Sequence, residues 1–316
     1  FFKGIYLIMK VALFGATGFV GSYIVDELIN EGHKPVVLVR QNSEEKLSES
    51  SKCKLIKGDI NDLDAINKTI KGVEAVIYCI GIIREFRNKG ITFDNLHFQG
   101  AKRCMDSAIK LGVNRFILMS ANGAKIDGTG YQKTKHLAEQ YLKYTKLDWT
   151  IFRPSLVFGD PRGNNRPEFC TQLKKDMLGL PIPAPNFHKG LNPLDAGKFA
   201  MSPIHVRDVA SFFVKSIEME ASSKKTYHLG GVAYYWKDII QTIAKAYGKK
   251  KWTIPAPAIA IQIVASLLGR FSWFPITKDQ LTMLVEGNVC ESDEIFELFK
   301  IEPTPFNTET LSYLNK

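Results

Sequence analysis

The chain has 316 residues, of which 45% are hydrophobic and 23% are charged, as in an ordinary globular protein with one large α/β domain and a smaller lobe. Its formal net charge of +10 comes mainly from lysines scattered along the sequence. Because no array of aromatic and basic residues accompanies this charge, a solvated lysine-rich surface is favoured first, an anionic membrane or acidic partner second, and nucleic acid is not expected as a partner.

The cysteines and histidines are dispersed along the chain and show no paired or metal-binding spacing. We therefore expect reduced thiols in a cytosol-like compartment, with neither a disulfide framework nor a metal site. Residues 1–8 precede Met9 and the first predicted strand. They are interpreted as an upstream extension or as the remnant of a processed leader, and are left outside the fold.

Strand and helix patterns alternate through the first half of the chain. Apolar runs predict strands at Val11–Phe14, Pro35–Val39, Lys54–Lys57, Ala75–Ile80, Arg115–Met119 and Trp149–Phe152. Amphipathic patterns predict helices at Ser22–Asn30, Asp62–Ile70, Asn95–Leu111 and Tyr131–Thr145. Because the strands are continuous apolar runs, both faces of their sheet are covered, and the alternation predicts an α/β fold with a Rossmann-type, doubly wound parallel sheet.

The pattern changes after Phe158. Gly159–Asn165 is predicted to be a turn-rich loop, and Gly179–Gly197, with four prolines, to be irregular. Helical patterns return at Val206–Glu218, Trp236–Tyr247 and Thr277–Val285. We therefore predict a sheet domain over residues 9–158, to which residues 200–232 return, and a smaller mixed lobe over residues 159–199 and 233–316.

Ile254–Leu268 is the most apolar stretch outside the strands, but it is shorter than the roughly 20 residues that a spanning helix needs. Two interpretations remain open. It is either a buried helix of the lobe, or an interfacial helix with Lys249–Lys251 before it and Arg270, Trp273 and Lys278 after it.

Gly15, Gly18 and Gly21 follow the first predicted strand and open the first predicted helix. In this arrangement the first glycine makes the tight turn, the second lets the backbone approach a pyrophosphate, and the third lets the helix lie close on the sheet. The helix N-terminus adds free N–H groups and a positive dipole. Because strand and helix flank the glycines in this order, the motif predicts a dinucleotide site.

The end of the second strand indicates which nucleotide is bound. A carboxylate at this position accepts a hydrogen bond from the ribose 2′-hydroxyl, whereas an arginine accommodates a 2′-phosphate. Here the strand ends in Arg40, and the first acidic residue after it is Glu44, which favours NADP(H) over NAD(H). Asp59, after the third strand, either reaches the adenine amino group or caps the following helix.

Tyr131 and Lys135 are four residues apart, and therefore on one face of a helix. A neighbouring cation lowers the pKa of a tyrosine, which makes the phenol a usable general acid or base. Lys135 is also a candidate for holding the nicotinamide ribose. This spacing occurs three times in the chain, and Tyr131 is selected because it opens a helix just after a strand of the predicted sheet. Ser120 ends that strand and either orients a substrate oxygen or caps a turn. Asn122 is the alternative candidate for orienting the substrate oxygen.

Together these segments resemble the short-chain dehydrogenase/reductase superfamily in its extended and atypical branches. The resemblance covers nearly the whole chain from Met9, and includes Arg153-Pro154-Ser155 and the segment 204–210 around His205. It implies that Arg153, Pro154 and Ser155 lie beside the nicotinamide, and that the segment around His205 joins the lobe to the cofactor domain. It further implies a set of cofactor contacts along the strand ends at Thr17, Phe19, Val20, Ile60 and Gly81.

The chain departs from the superfamily pattern at two positions. His97 stands where many members carry a helix asparagine, and Ser120 is closer to Tyr131 than is usual. The C-terminal third, with Pro255–Pro275 and Ile301–Pro305, is similar to the nucleotide-binding accessory subunit of respiratory complex I and its bacterial relatives. That resemblance implies a tightly held NADPH and a place in the cytoplasm or on the inner face of a bacterial or organellar membrane.

Three functions follow from these observations. The first is an NADP(H)-holding accessory or assembly factor of a membrane respiratory NADH:quinone oxidoreductase. The second is a soluble NADPH-dependent reductase of a small carbonyl or isoprenoid-type substrate, with Tyr131, Lys135 and Ser120 as its catalytic residues. The third is a nucleotide-sugar epimerase or dehydratase, which is less favoured because the lobe has no basic cradle beyond Arg162 and Arg166.

Overall fold

The computed structural model describes residues 8–163, 166–190, 192–268 and 276–315. The strands, in chain order, are β1 (Lys10–Phe14), β2 (Lys34–Val39), β3 (Lys54–Lys57), β4 (Ala75–Tyr78), β5 (Arg115–Met119), β6 (Asp148–Pro154), β7 (Val157–Phe158), β8 (Ala184–His188), β9 (Ala200–Met201), β10 (Ile204–His205), β11 (Lys225–Leu229), β12 (Tyr234–Tyr235) and β13 (Thr253–Pro257).

The α-helices are α1 (Phe19–Asn30), α2 (Leu63–Ile70), α3 (Gly100–Lys110), α4 (Gly130–Tyr144), α5 (Phe169–Leu173), α6 (Val206–Lys215), α7 (Trp236–Ala246), α8 (Ala258–Leu268), α9 (Lys278–Glu286) and α10 (Asp293–Phe299). Two π-helical segments, Asp94–Gln99 and Lys174–Leu178, directly precede α3 and directly follow α5. Short 3₁₀ turns occupy Glu44–Lys46, Ser50–Lys52, Arg87–Lys89, Pro193–Asp195, Glu220–Ser222 and Ser312–Asn315.

The chain forms two compact units. The first consists of residues 1–126, 132–153 and 209–227, and the second of residues 127–131, 154–208 and 228–316. The domain boundary predicted at residue 158 stays a prediction. In this part of the chain the boundaries between the compact units follow Arg153, Asp208 and Tyr227.

The first unit is organised around a seven-stranded sheet in the order β11-β6-β5-β4-β1-β2-β3. Strands β1 to β6 pair in parallel, and the strand order reverses between β1 and β4. The predicted Rossmann-type sheet is thus confirmed. In such sheets ligands bind beyond the carboxyl ends of the strands at the reversal point, which here is where the loop after β1 lies.

Strands β1, β2, β4, β5 and β6 are largely buried because helices cover them, as their continuous apolar sequences predict, whereas the edge strands β3 and β11 are mostly half-buried or exposed. One face packs α2, α3 and α4 against β1, β4 and β5 in a single apolar cluster. Asp62, just before α2, accepts a hydrogen bond from the Ala65 N–H at 3.0 Å and so caps that helix.

The opposite end of the sheet is held by the buried guanidinium of Arg115 at the start of β5. It donates to the Thr150 hydroxyl at 2.8 Å and to the Ser222 hydroxyl at 2.7 Å, as well as to the backbone carbonyls of Ser216 and Ile217 after α6. This side chain therefore joins β5 and β6 to the segment that leads into β11.

The second unit has its own apolar core around Trp236, which packs with Phe169, Phe187 and Phe199. Three two-stranded pairs surround it: β7 with β10, β8 with β13, and β9 with β12. Helix α9 begins with a capping box, because Thr277 and Gln280 exchange side-chain to backbone hydrogen bonds.

For this unit one sequence-based expectation was wrong, and one of the two interpretations left open for Ile254–Leu268 was wrong. Gly179–Gly197, predicted to be irregular, contains β8, which pairs in parallel with β13 over Ala184 to His188 although β8 contains Pro185 and directly follows Pro183. Ile254–Leu268 is not one buried helix, because its first four residues belong to β13 and α8 leaves one side exposed. Residues 1–7 and the predicted flanks Arg270 and Trp273 lie outside the described residues.

We expect Arg115→Met to lower the free energy of unfolding by about 3 kcal/mol, because several buried acceptors lose a charged donor together. Lys110→Met, at the exposed end of α3, is the control and should change stability by less than about 0.5 kcal/mol. Urea unfolding of both variants measures the difference. A loss below about 1 kcal/mol for Arg115→Met would show that these contacts do not hold the sheet together.

Candidate nucleotide site

The loop between β1 and α1 has the geometry of a phosphate cradle. Gly15 adopts a left-handed φ of +101°, and an added Cβ would lie 3.0 Å from the backbone of Cys79 and Ile80. At Gly21 an added Cβ would lie 2.0 Å from the Gly15 carbonyl oxygen, so only glycine allows α1 to approach the loop this closely. The Gly18 N–H donates to the Gly15 carbonyl at 3.0 Å and closes the turn.

The start of α1 is suited to an anion. Gly18 is the N-cap residue, no side chain caps the helix, and no acidic residue lies in its first turn. Thr17, Phe19 and Val20 are half-buried around this turn. Because the first N–H groups of a helix carry the positive end of its dipole, this turn fits the pyrophosphate of a dinucleotide.

Arg40 and Asp59 follow the next two strands of the same sheet edge. Arg40 is exposed directly after β2, and its guanidinium makes no hydrogen bond or ion pair within the described part of the chain. Asp59 is exposed after β3 and accepts from the Asn61 backbone N–H at 2.9 Å. Asp62 rather than Asp59 caps α2, so that alternative for Asp59 was wrong. Ile60, beside it, is buried and its carbonyl accepts from Arg103 at 2.9 Å.

Lys135 is brought against the end of β4 by α4. Its buried ammonium donates to the Met119 carbonyl at 2.9 Å, and an added Cβ on Gly81 would lie 3.5 Å from its Nζ. Desolvation lowers the pKa of Lys135 to about 8. Gly81 itself is exposed. The structure therefore brings an amine whose pKa is close to neutral pH beside the loop after β4.

His97 fixes this loop to α4. Its Nε2 accepts from the Ile82 N–H at 3.1 Å, so the proton of the neutral ring lies on Nδ1 and is donated to the Thr134 hydroxyl, also at 3.1 Å. Burial, and the charge of Lys135 in second place, hold the pKa of His97 well below its usual range. The histidine that replaces the usual asparagine is thus a neutral clamp between two segments that line the site.

Ser120 and Arg153 meet at a buried carboxylate. Ser120 donates to Glu139 on α4, and Arg153 forms an ion pair with the same carboxylate, with Nε 2.8 Å from Oε1. Glu139 is 0% exposed, and its hydrogen bond raises the pKa of Arg153. Glu139 was not predicted, although it lies four residues after Lys135 and therefore on the same side of α4.

The remaining predicted site residues belong to the second unit. Tyr131 is in the first turn of α4, and desolvation raises the pKa of its phenol to about 12. The expected lowering of this pKa by Lys135 was therefore wrong. Pro154 is buried. The Ser155 hydroxyl donates to the Asn288 carbonyl at 2.7 Å, and the Ser155 backbone N–H donates to the carbonyl of Leu229 at the end of β11.

The sheet, the glycine loop at its reversal point and the uncapped start of α1 define a nucleotide-binding Rossmann protein. The chain belongs to the NAD(P)H-binding family, whose model matches residues 15–177, more than half of its length. The fold and the family predicted from the sequence, a short-chain dehydrogenase/reductase-like protein that binds a nicotinamide dinucleotide, are both confirmed.

Relatives that match nearly the whole chain have different functions in their names. The mitochondrial NADH-ubiquinone oxidoreductase 40 kDa subunit of Neurospora crassa is 24% identical over 96% of this chain and 78% of its own. The photosystem II assembly factor Ycf39 of Synechocystis is 24% identical over 98% and 90%. The ceramide reductase of Caulobacter vibrioides is 26% identical over 83% and 78%.

A solved structure supports the fold. The UDP-glucose 4-epimerase of Thermus thermophilus, solved with NAD, superposes with a TM-score of 0.72 at 16% identity and covers 97% of this chain and 98% of its own. At this identity the match speaks for the fold alone.

The residues at the sheet edge fit a dinucleotide. The glycine loop with the start of α1 would hold the pyrophosphate, and the ends of β2 and β3 would hold the adenosine half. Gly81 and Lys135 would then face the nicotinamide half. A nicotinamide dinucleotide supplies hydride transfer when it is bound.

We expect Lys135→Met to stabilise the nucleotide-free protein. Below pH 8 the buried ammonium costs about 3 kcal/mol, from a folded pKa of about 8 against an unfolded value near 10.4. Loss of its hydrogen bond to Met119 offsets about 1 kcal/mol of this, which leaves a net gain of about 1–2 kcal/mol. Because a lowered pKa relieves the penalty as pH rises, the gain should shrink between about pH 8 and pH 10.4.

Denaturant unfolding at several pH values measures this change. The exposed Lys133→Met, two residues earlier on α4, is the control and should leave the pH profile unchanged. If Lys135→Met is destabilising at pH 7, or its effect does not vary up to pH 10.4, then Lys135 is not a desolvated ammonium.

Proposed function

We propose that this protein holds NADP(H) as an accessory or assembly factor of a membrane respiratory NADH:quinone oxidoreductase, and that it does not turn the nucleotide over. The single observation that carries the proposal is the pairing of Ser120: its hydroxyl, the group expected to orient a substrate, donates to the buried carboxylate of Glu139. The glycine loop at the same edge of the sheet has the geometry of a phosphate cradle.

Two groups support the absence of turnover. Tyr131, the expected proton donor, has its pKa raised to about 12 by desolvation, which moves it away from the working range of a general acid or base near neutral pH. The hydroxyl of Ser120, the expected substrate-orienting group, donates to the buried Glu139. A substrate oxygen would have to compete with a carboxylate for that hydroxyl.

The relatives supply the second line of support. Those named as NADH-ubiquinone oxidoreductase subunits match along nearly the full chain, and the relative named for photosystem II assembly suggests that the same fold serves membrane complexes more widely. By this proposal the protein lies in the cytoplasm or an organelle interior, peripheral on the inner face of the membrane. None of the described helices is long and apolar enough to span a bilayer.

A soluble NADPH-dependent reductase is the second candidate. Lys135 favours it, because a buried lysine with a pKa of about 8 is a common feature of sites that move protons. The relative named ceramide reductase suggests a carbonyl-type substrate for this alternative. The nucleotide-sugar epimerase alternative has the support of fold alone.

The exposed Arg40 after β2 leads us to expect tighter binding of NADPH than of NADH, because its guanidinium would pair with the 2′-phosphate. Arg40→Asp removes the cation that would pair with the 2′-phosphate and introduces an anion in its place. The variant should therefore lower the NADPH-to-NADH affinity ratio roughly 100-fold. Titration of both nucleotides into wild type and variant measures it. Equal affinities of the wild type for the two nucleotides would refute the preference.

A pair of variants tests whether the nucleotide is held or consumed. Gly21→Ala should remove the bound nucleotide, because the new Cβ displaces α1 from the Gly15 carbonyl, and the amount of assembled respiratory complex should fall with it. Tyr131→Phe should change neither quantity. Tyr144→Phe, an 88% exposed tyrosine at the end of the same helix, is the matched control for Tyr131→Phe.

Nucleotide content, native gels of membranes and NADPH oxidation with a panel of carbonyl compounds are the measurements. If the wild type oxidises NADPH with a carbonyl and Tyr131→Phe abolishes that reaction while still binding NADPH, the protein is a reductase. If Gly21→Ala lacks nucleotide and the complex assembles normally, the accessory role is wrong.

A further inference from the structure

The second unit exposes an apolar face that its own core leaves uncovered. Trp252, Ile254, Ile259, Ile263 and Leu267, hereafter the apolar face, are between 52% and 81% exposed. They come from one continuous segment that runs through β13 into α8. Large apolar side chains clustered in this way on a surface mark an interaction site.

The spacing of these residues places them together. Ile259, Ile263 and Leu267 are four residues apart along α8 and therefore lie on one side of the helix. Trp252 and Ile254 are two residues apart, and so point to one side of the extended segment that leads into that helix.

The other side of the segment holds it to the second unit. Ala256 and Ala258 are buried, and Ile261 packs against the core around Trp236. The Gln262 side chain donates to the Thr282 hydroxyl on α9 at 3.3 Å. The apolar face is thus presented outward by an anchored helix.

The sequence of α8 is apolar almost all round, which is typical of a helix covered on every side. Here only one side is covered. Each exposed isoleucine or leucine would gain free energy by leaving water. Something outside the described residues of this unit must therefore meet the apolar face for that gain to be realised.

The part of the sequence that carries the apolar face is basic. Between Asp238 and Asp279 the sequence has no acidic residue, but has Lys245, Lys249, Lys250, Lys251, Arg270 and Lys278. Lys249 and Lys250 are exposed next to Trp252. Lys251, directly before Trp252 in the sequence, donates from its ammonium to the Leu180 carbonyl at 2.6 Å.

We propose that this face lies in the interfacial layer of an anionic lipid membrane. The apolar side chains would enter the boundary between headgroups and acyl chains, the lysines would contact lipid phosphates, and Trp252 would sit at headgroup depth. This inference rests on the proposed function. It adds that the protein binds anionic lipid as well as the membrane complex.

A second copy of this chain fits the face less well. A two-fold dimer would bring the same patch of each copy together, and so would place the lysine cluster of one copy near the lysine cluster of the other. An anionic bilayer satisfies both the apolar and the cationic parts at once. The 11 residues of α8 lying flat need no spanning length.

Flotation of the purified full chain with lipid vesicles tests the proposal. One set of vesicles is phosphatidylcholine alone, and the other is an equimolar mixture with phosphatidylglycerol. We expect binding to the anionic vesicles only, and a fall of roughly fivefold for each lysine lost in Lys249→Gln/Lys250→Gln.

Ile259→Glu/Ile263→Glu should lower binding to the anionic vesicles by roughly tenfold or more, because both side chains leave the interface and two negative charges enter it. Tyr144→Glu introduces one such negative charge at an exposed aromatic residue of the first unit and should bind as the wild type does. NADPH content and light-scattering mass are measured on every variant.

Retained NADPH in Ile259→Glu/Ile263→Glu with lost vesicle binding supports the proposal. It is overturned if the wild type does not bind anionic vesicles, if the double variant binds them as well as the wild type, or if the wild type is a dimer that the double variant converts to a monomer. Because the vesicles contain lipid alone, failure here is distinct from failure of the accessory role, which is read from complex assembly.

Discussion

The nucleotide site depends on the approach of helix α1 to the turn after β1. The Gly15 carbonyl lies so close to the backbone of Gly21 that a single methyl group there would be 2.0 Å from its oxygen. That approach aims the free N–H groups of the helix at the loop, and the loop lies where the strand order of the sheet reverses. Steric exclusion at two glycines thus determines where the turn and the helix N-terminus meet, and Arg40 and Asp59 follow the next two strands of the same sheet edge.

The polar groups around this site are paired with one another. Glu139 is buried, yet its charge is compensated by Arg153 and by the hydroxyl of Ser120. His97 is neutral and its two nitrogens both have partners. A site whose buried groups are satisfied before substrate arrives is stable, but each of these hydrogen bonds must be replaced before the same group can orient or protonate a substrate.

The sequence predicted the parts of the fold that local physics determines. Buried parallel strands are continuous apolar runs, so β1 to β6 could be placed to within a few residues, and the glycine spacing gave the cradle. It could not predict β8, because prolines usually exclude a strand, and pairing with β13 depends on residues about seventy positions away. Nor could it predict that Ser120 faces Glu139, because an i, i+4 acid on a helix does not indicate which strand end it meets.

The free-energy cost of a buried ammonium in the nucleotide-free protein links folding stability to nucleotide binding. Burying the ammonium of Lys135 disfavours its charged form and destabilises the nucleotide-free fold. Proteins retain such costs mainly where a ligand depends on them. A ligand that binds only the folded state adds stability in proportion to the logarithm of its concentration over its dissociation constant, so a permanently bound dinucleotide would offset the penalty.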